Sequence, residues 1–354
     1  MEWLEVFIGV SLIGLVAWEV LLYSPPIQAI QIRLGVTVRA FHASAQASSL
    51  KIGLTHSSAD RSLRLVAFPL SDRPIQPRDI FVFVDSSFPT AGASPTSVQG
   101  IFDHLAAELD VHGFPGRIRA VTEGGLRDLL TMTSFASQRV LVIMTGVTPS
   151  SVFSTRTDLI SPWVKAGGLF VWGGGTLGYW TAAPGQALLA RNVVGEGGTV
   201  QLLGVGVVKY PWADVRVADR ASDFGSALNV AYRLANVGLA RDPILARGGL
   251  DLGWDLEHFL SIGYLPRGAG GYLIFGGAIV DEESVAQDLT RLLLTNSLNA
   301  AGPVAAKDVY LTPSRSVEDV VWDLPFPPPK AGIMLAALDP NPDGVFIHSE
   351  IVGR

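Results

Sequence analysis

Residues 159–180 read LISPWVKAGGLFVWGGGTLGYW, and the fold depends on how that run divides. Leu159, Ile160, Trp163 and Val164 recur at helical spacing. Gly167 and Gly168 then end the helix, because glycine takes the left-handed cap conformation at no steric cost. Residues 169–172, LFVW, form the short continuous apolar run expected of a strand covered on both faces. Gly173, Gly174 and Gly175 follow where that strand stops. In an open α/β sheet the carboxyl ends of the strands are where ligands sit, so a site is expected around this bend.

Upstream, an alternation of strands and helices starts at Asp79. Strands are expected at 80–84, 117–121 and 140–144, with a helical stripe of Val98, Ile101, Phe102, Leu105 and Leu109 and a short helix at 126–130. Downstream, residues 200–208 read as one or two strands in an insertion. Phe224, Ala227, Leu228, Ala231 and Leu234 read as a helix. Residues 272–275 are a further buried strand, ended by Gly276 and Gly277. Asp281 caps a last helix whose apolar face includes Val285, Leu289, Leu292 and Leu293. Such βαβα order implies a parallel sheet with helices on both faces.

The flanks carry β patterns. Ile30, Ile32, Leu34, Val36, Val38 and Ala40 alternate with polar residues or glycine, and Leu50, Ile52 and Leu54, then Leu63 and Leu65, repeat the rhythm, as in an antiparallel meander. In the tail, short strands are expected at 309–311, 320–322, 333–335 and 345–351, broken by Pro325, Pro327, Pro328 and Pro329. The tail is expected to pair with the meander. The plan is then a transmembrane helix over 1–24, half of a β-rich domain over 25–78, an α/β domain over 79–304, and the other β half over 305–354.

The 354-residue chain is 48% hydrophobic and 16% charged, against about 25% charged in ordinary soluble chains. A membrane segment or a large interface would account for that. Residues 3–23, WLEVFIGVSLIGLVAWEVLLY, have the length to cross about 30 Å of hydrocarbon. Trp3, Trp18 and Tyr23 suit the interfaces, and Glu5 and Glu19 must reach the head groups or a partner. Ser24-Pro25-Pro26 is a poor cleavage site and no basic segment precedes the apolar run, so an anchor is expected rather than a signal peptide. Arg33 and Arg39 would place the body inside under the positive-inside rule, but they belong to an expected strand. The expectation is a single-pass membrane protein with its body outside the cytoplasm. A net charge of -6 without a basic face argues against nucleic acid. The absence of cysteine removes disulfides, thiolate metal sites and thiol nucleophiles.

Four stretches, VFVDSSFPTAGASPTSVQGIFDHLAAEL, RVLVIMTGVTP, LISPWVKAGGLFVWGGG and GGYLIFGGAIVDEESVAQDLTRLLL, give residues 79–298 a pattern that resembles the class I glutamine amidotransferase-like superfamily in its non-catalytic, membrane-associated branches. The resemblance implies a flavodoxin-like sheet. Catalytic members carry a cysteine at the tight turn after the central strand, activated by a His-x-Glu pair. Here that turn is Gly173-Gly174-Gly175-Thr176. His348-Ser349-Glu350 spells His-x-Glu but lies beyond the closing helix. The resemblance therefore implies a chain that is not an enzyme, serving as an assembly, scaffold or binding subunit of a membrane or cell-surface complex. Other protein subunits, and possible glycan, are its expected partners.

The candidate ligand site gathers residues at strand ends: Asp85 and Ser86, Glu123, Thr145, then Gly173, Gly174, Gly175 and Thr176, with Trp180 beside them. A carbohydrate-active hydrolase would use Asp85 and Glu123 as its carboxylates, since acid–base work needs two with separated pKa values. A ligand-binding sensor is a further alternative. The plain structural reading of Asp85 to Ser87 is an Asx or Ser turn closing the strand. GGGTLG matches neither phosphate-binding glycine motif. Asp251, Asp255, Glu257 and His258, in DLGWDLEHF, read as a solvated acidic loop. No histidine pair has zinc-like spacing, and no GxSxG elbow exists. No metal or cofactor is expected.

Overall fold

A computed structural model describes residues 38–46, 49–56, 61–71, 79–112, 114, 117–188, 191–206, 215–236, 239–311, 317–327, 329–340 and 346–352. Its main elements run β1 (Val38–Gln46), β2 (Ser49–His56), β3 (Arg61–Pro69), β4 (Asp79–Phe83), α1 (Pro95–Val111), β5 (Arg117–Val121), α2 (Glu123–Thr131), β6 (Arg139–Ile143), α3 (Ile160–Lys165), β7 (Leu169–Trp172), α4 (Glu196–Leu203) and α5 (Asp223–Ala227). There follow β8 (Leu250–Trp254), β9 (Leu260–Arg267), β10 (Gly270–Phe275), α6 (Glu282–Leu294), β11 (Ala305–Leu311), β12 (Val317–Asp323), β13 (Ile333–Leu338) and β14 (Phe346–Val352).

β7 lies in the interior of an eight-stranded sheet of order Arg220–Ala221, β8, β9, β10, β7, β6, β4, β5. The strands from β10 to β5 are parallel. Alternate residues of these strands serve two cores. Ile80, Val82, Val140, Val142, Leu169, Val171 and Leu273 pack with α1 and α6 on one face. Phe83, Leu141, Ile143, Phe170, Trp172 and Tyr272 pack with α2, α3 and α4 on the other. All four residues of β7 are buried, which is why its sequence shows no alternation. Helix α1 starts where Ser94 accepts the Ser97 N–H at 2.9 Å and Pro95 supplies a preset φ.

The flanking segments build two further sheets, β1-β2-β12 and β11-β3-β13-β14. Each mixes strands from both ends of the described chain. Leu50, Ile52, Leu63, Leu65, Trp322 and Leu335 enclose the core between them. The opposite faces of β3 and β13, through Val66, Phe68, Met334 and Ala336, join the core that holds α1 and α6. This sheet is thus buried on both sides near its centre.

Several expectations are corrected here. The flavodoxin-like, wholly parallel sheet is replaced by a mixed one. Residues 251–259, expected as an acidic loop, lie in the β8–β9 hairpin, and strands joined by so short a turn run antiparallel. Asp255 closes that turn by accepting the N–H groups of Glu257 at 3.0 Å and Phe259 at 2.9 Å. Residues 200–203, the start of the segment expected as strands, belong instead to helix α4, which is ended by Gly204 at φ +71°. The helix expected from Phe224 to Leu234 stops at Ala227, because Asn229 turns the chain at φ +57° and Leu234–Asn236 is a strand. Asp288 holds that turn. It is fully buried, accepts the N–H groups of Ala231 and Tyr232, and pairs with Arg291 at 2.8 Å.

The membrane anchor and the extracytoplasmic placement of the body gain no support from the described residues and are not carried forward. Among the described residues no helix is long and apolar enough to cross a membrane. The longest, α1, has 17 residues, short of the roughly 20 apolar residues a span needs. The span expected at 3–23 lies outside the described residues.

Candidate functional site at the carboxyl edge of the sheet

Asp85 sits two residues beyond β4, at the carboxyl edge. Val84 keeps the chain in line by donating to the Val121 carbonyl at 3.0 Å. Oδ1 of Asp85 accepts the Ser87 N–H at 3.0 Å and the Ser87 hydroxyl at 2.6 Å. Oδ2 accepts the N–H of Glu123 at 3.2 Å. Thr122 occupies the N-cap of α2 but makes no side-chain cap bond, so Asp85 supplies the cap from another strand. Burial pushes the Asp85 pKa up, but the Ser87 hydroxyl and the two N–H groups outweigh it and hold the carboxyl below its usual range. Asp85 is therefore ionised at neutral pH. A carboxylate offers about four acceptor positions, and these three bonds leave room for one more at Oδ2.

A groove of about 290 Å³ opens beside this turn. Val84, Pro95 and Val98 give it apolar walls, and Asp85, Ser86, Thr90, Thr96, Gln99 and Thr145 bring polar groups to it. An apolar cleft with a few convergent polar groups is the usual form of a small-molecule site. Of the residues expected from the sequence, Asp85, Ser86 and Thr145 line it together. The Thr145 hydroxyl donates to the Val147 carbonyl at 2.8 Å. Glu123 joins through its backbone bond to Asp85 and is half-buried. Thr90, Thr96 and Gln99 were not singled out. They are polar residues of a loop and the start of a helix, a pattern that marks a groove only once the sheet edge is in place.

The glycine bend occupies a different place. Gly146 donates to the Gly173 carbonyl at 3.1 Å, and the Gly175 carbonyl accepts the Trp172 indole N–H at 2.7 Å. A Cβ built on Gly92 would lie 2.0 Å from the Gly174 carbonyl oxygen. One built on Gly146 would lie 1.8 Å from that of Ala91. Three loops of this edge therefore meet backbone on backbone, and Gly173 and Gly174 are buried beneath them. Thr176 is buried, and Trp180 is half-buried with the Arg191 guanidinium 4.1 Å over its ring. Neither lines the groove. Among the described residues no three acidic or histidine side chains gather as a metal site.

No family model matches the chain, and no curated protein matches it. Solved structures do align with it. They include the exo-β-1,4-mannosidase Op5Man5 of Opitutaceae bacterium strain TAV5, at 15% identity over 63% of this chain and 34% of that one, with a TM-score of 0.33. The cold-adapted β-galactosidase of Rahnella sp. R3 aligns at 14% identity over 64% of this chain and 32% of that one, with a TM-score of 0.37. A catalytic mutant of a GH42 β-galactosidase of G. stearothermophilus aligns at 12% identity over 75% and 35%, with a TM-score of 0.34. The chain spans about a third of the length of each, and superpositions this loose carry no activity across.

No family model matches and the large sheet is mixed rather than wholly parallel, so the amidotransferase-like resemblance is withdrawn. The expectation that the chain is not an enzyme falls with it. It rested on a missing thiol nucleophile, which bears only on reactions that need a thiol.

Proposed function

We propose that the chain is a carbohydrate-active hydrolase that takes a saccharide in the carboxyl-edge groove. The observation that carries this is Asp85, an ionised carboxylate with acceptor capacity left, at the head of a groove furnished with hydroxyl and carboxamide groups. Sugar hydroxyls pair with such groups, and the ring's apolar face suits Val84, Pro95 and Val98. Hydrolysis of a glycosidic bond needs one ionised carboxylate and one proton donor. Asp85 fills the first role. Glu123, whose backbone N–H bonds Asp85 at the start of α2, is assigned the second.

The test is a panel of aryl glycosides assayed with the wild type, Asp85→Asn and Glu123→Gln. The expected result is release of the aryl group by the wild type, with a loss of about a hundredfold or more in each variant, the size of a lost acid–base or nucleophilic group. Equal rates in all three proteins, or no turnover of any glycoside, would count against the assignment.

A further inference from the structure

A second groove, of about 210 Å³, lies at the opposite, amino edge of the large sheet. Its walls come from the start of β8, the β9–β10 turn and the turn at 297–300, and include Leu250, Tyr264, Pro266, Ala269, Leu298 and Ala300. Tyr264 is only 4% exposed. Burial pushes its phenol up to about 12, so it stays neutral and can both donate and accept.

Among the described residues no group hydrogen-bonds the Tyr264 hydroxyl. It is not sealed in the core either, since Tyr264 forms part of the groove wall. The placement is built into the sheet. A Cβ on Gly271 would lie 2.6 Å from that hydroxyl, so the absence of a side chain there lets the Tyr264 ring cross β10.

The chemistry of the groove selects its ligand. Among the described residues no charged side chain lines it. An ion entering would lose hydration with no counter-charge to replace it. A neutral molecule with hydroxyls on its rim and an apolar face would meet the phenol, backbone groups of the turn at 268–270, and Leu250, Pro266 and Leu298. We infer that this groove binds a single uncharged sugar ring, anchored by the Tyr264 hydroxyl. The ligand class is that of the proposed function, but the site lies on the other edge of the sheet and does not depend on Asp85.

The test uses the full chain with Asp85→Asn as background, so that the carboxyl-edge groove is weakened. D-galactose and D-mannose are titrated by calorimetry and ligand-observed magnetic resonance, with D-galacturonate as the charged control. At least one neutral sugar is expected to bind this variant as it binds the wild type at this site. Adding Tyr264→Phe should weaken that binding about tenfold, a factor that corresponds to 1.4 kcal/mol, and leave the melting temperature unchanged. Three outcomes overturn the inference: unchanged binding after Tyr264→Phe, equal binding of galacturonate, or no binding of either neutral sugar at millimolar concentration. Loss of all binding with Asp85→Asn alone would instead place the sugar at the carboxyl edge, which contradicts this site and supports the other.

Discussion

Asp85 and Glu123 are 38 residues apart, yet Oδ2 of Asp85 accepts the Glu123 N–H at 3.2 Å. One carboxylate thereby ends the first parallel strand, caps the helix after the second, and faces the groove. Structural and chemical roles can be separated by substitution. Asp85→Ala should cost about 1 kcal/mol of stability, as for a lost helix cap, and should abolish turnover. Asp85→Asn keeps an acceptor oxygen, so it should retain most of the stability and lose turnover all the same. Urea unfolding beside the glycoside assay checks both.

The same bond fixes a pH dependence. The folded pKa of Asp85 is lowered from an unfolded value of about 3.9. Its contribution is therefore fully present above that value and is lost as pH falls through the lower folded one. Unfolding of the wild type and Asp85→Asn should differ by a constant amount from neutral pH to about 5, with the difference shrinking below about 4. A difference that grows with acidity would contradict the assignment.

Asp288 and Arg291 form a buried pair with side-chain exposures of 0% and 2%. Asp288 also accepts two backbone N–H groups, and Arg291 donates to the Asn229 carbonyl at 2.9 Å. Asp288→Ala would strand the guanidinium and both N–H groups. The expected loss is about 3–5 kcal/mol, typical of breaking a buried pair from one side, read from chemical denaturation.

The glycines divide into two kinds that the sequence shows alike. Gly146→Ala should destabilise the fold strongly, because its φ is +67° and the added Cβ would strike the Ala91 carbonyl. Gly197 lies in α4 with nothing within 4 Å of an added Cβ. Gly197→Ala, in the first turn, should therefore stabilise by at most the roughly 0.5–1 kcal/mol gained over glycine in mid-helix. Melting temperatures of the two variants test the contrast.

These glycines also show where the sequence was legible. LFVW at 169–172 could be read because a strand buried on both faces needs apolar residues throughout. The stripe from Val98 to Leu109 could be read because one helical face meets the core. Strand direction could not, since an apolar run looks the same in a parallel or antiparallel neighbour, and 250–267 hid a hairpin behind Gly253 and the turn-closing Asp255. The glycine bend at 173–175 was expected to border the ligand site. Only the contact of Gly92 with Gly174, across 82 positions of chain, reveals it as filled, and two residues without side chains leave no pattern to find. Asp85 was visible as a polar strand end. Thr96 and Gln99 were not, because a first helical turn becomes a groove wall only when the sheet edge is in place.

The most direct test of the central claim is a crystal structure of the protein soaked with the sugar released in the glycoside assay. A sugar in the 290 Å³ groove, with a hydroxyl in hydrogen-bond distance of Oδ2 of Asp85 and contacts to Thr96 and Gln99, is the predicted result. An empty carboxyl-edge groove in crystals whose enzyme hydrolyses that glycoside would contradict it.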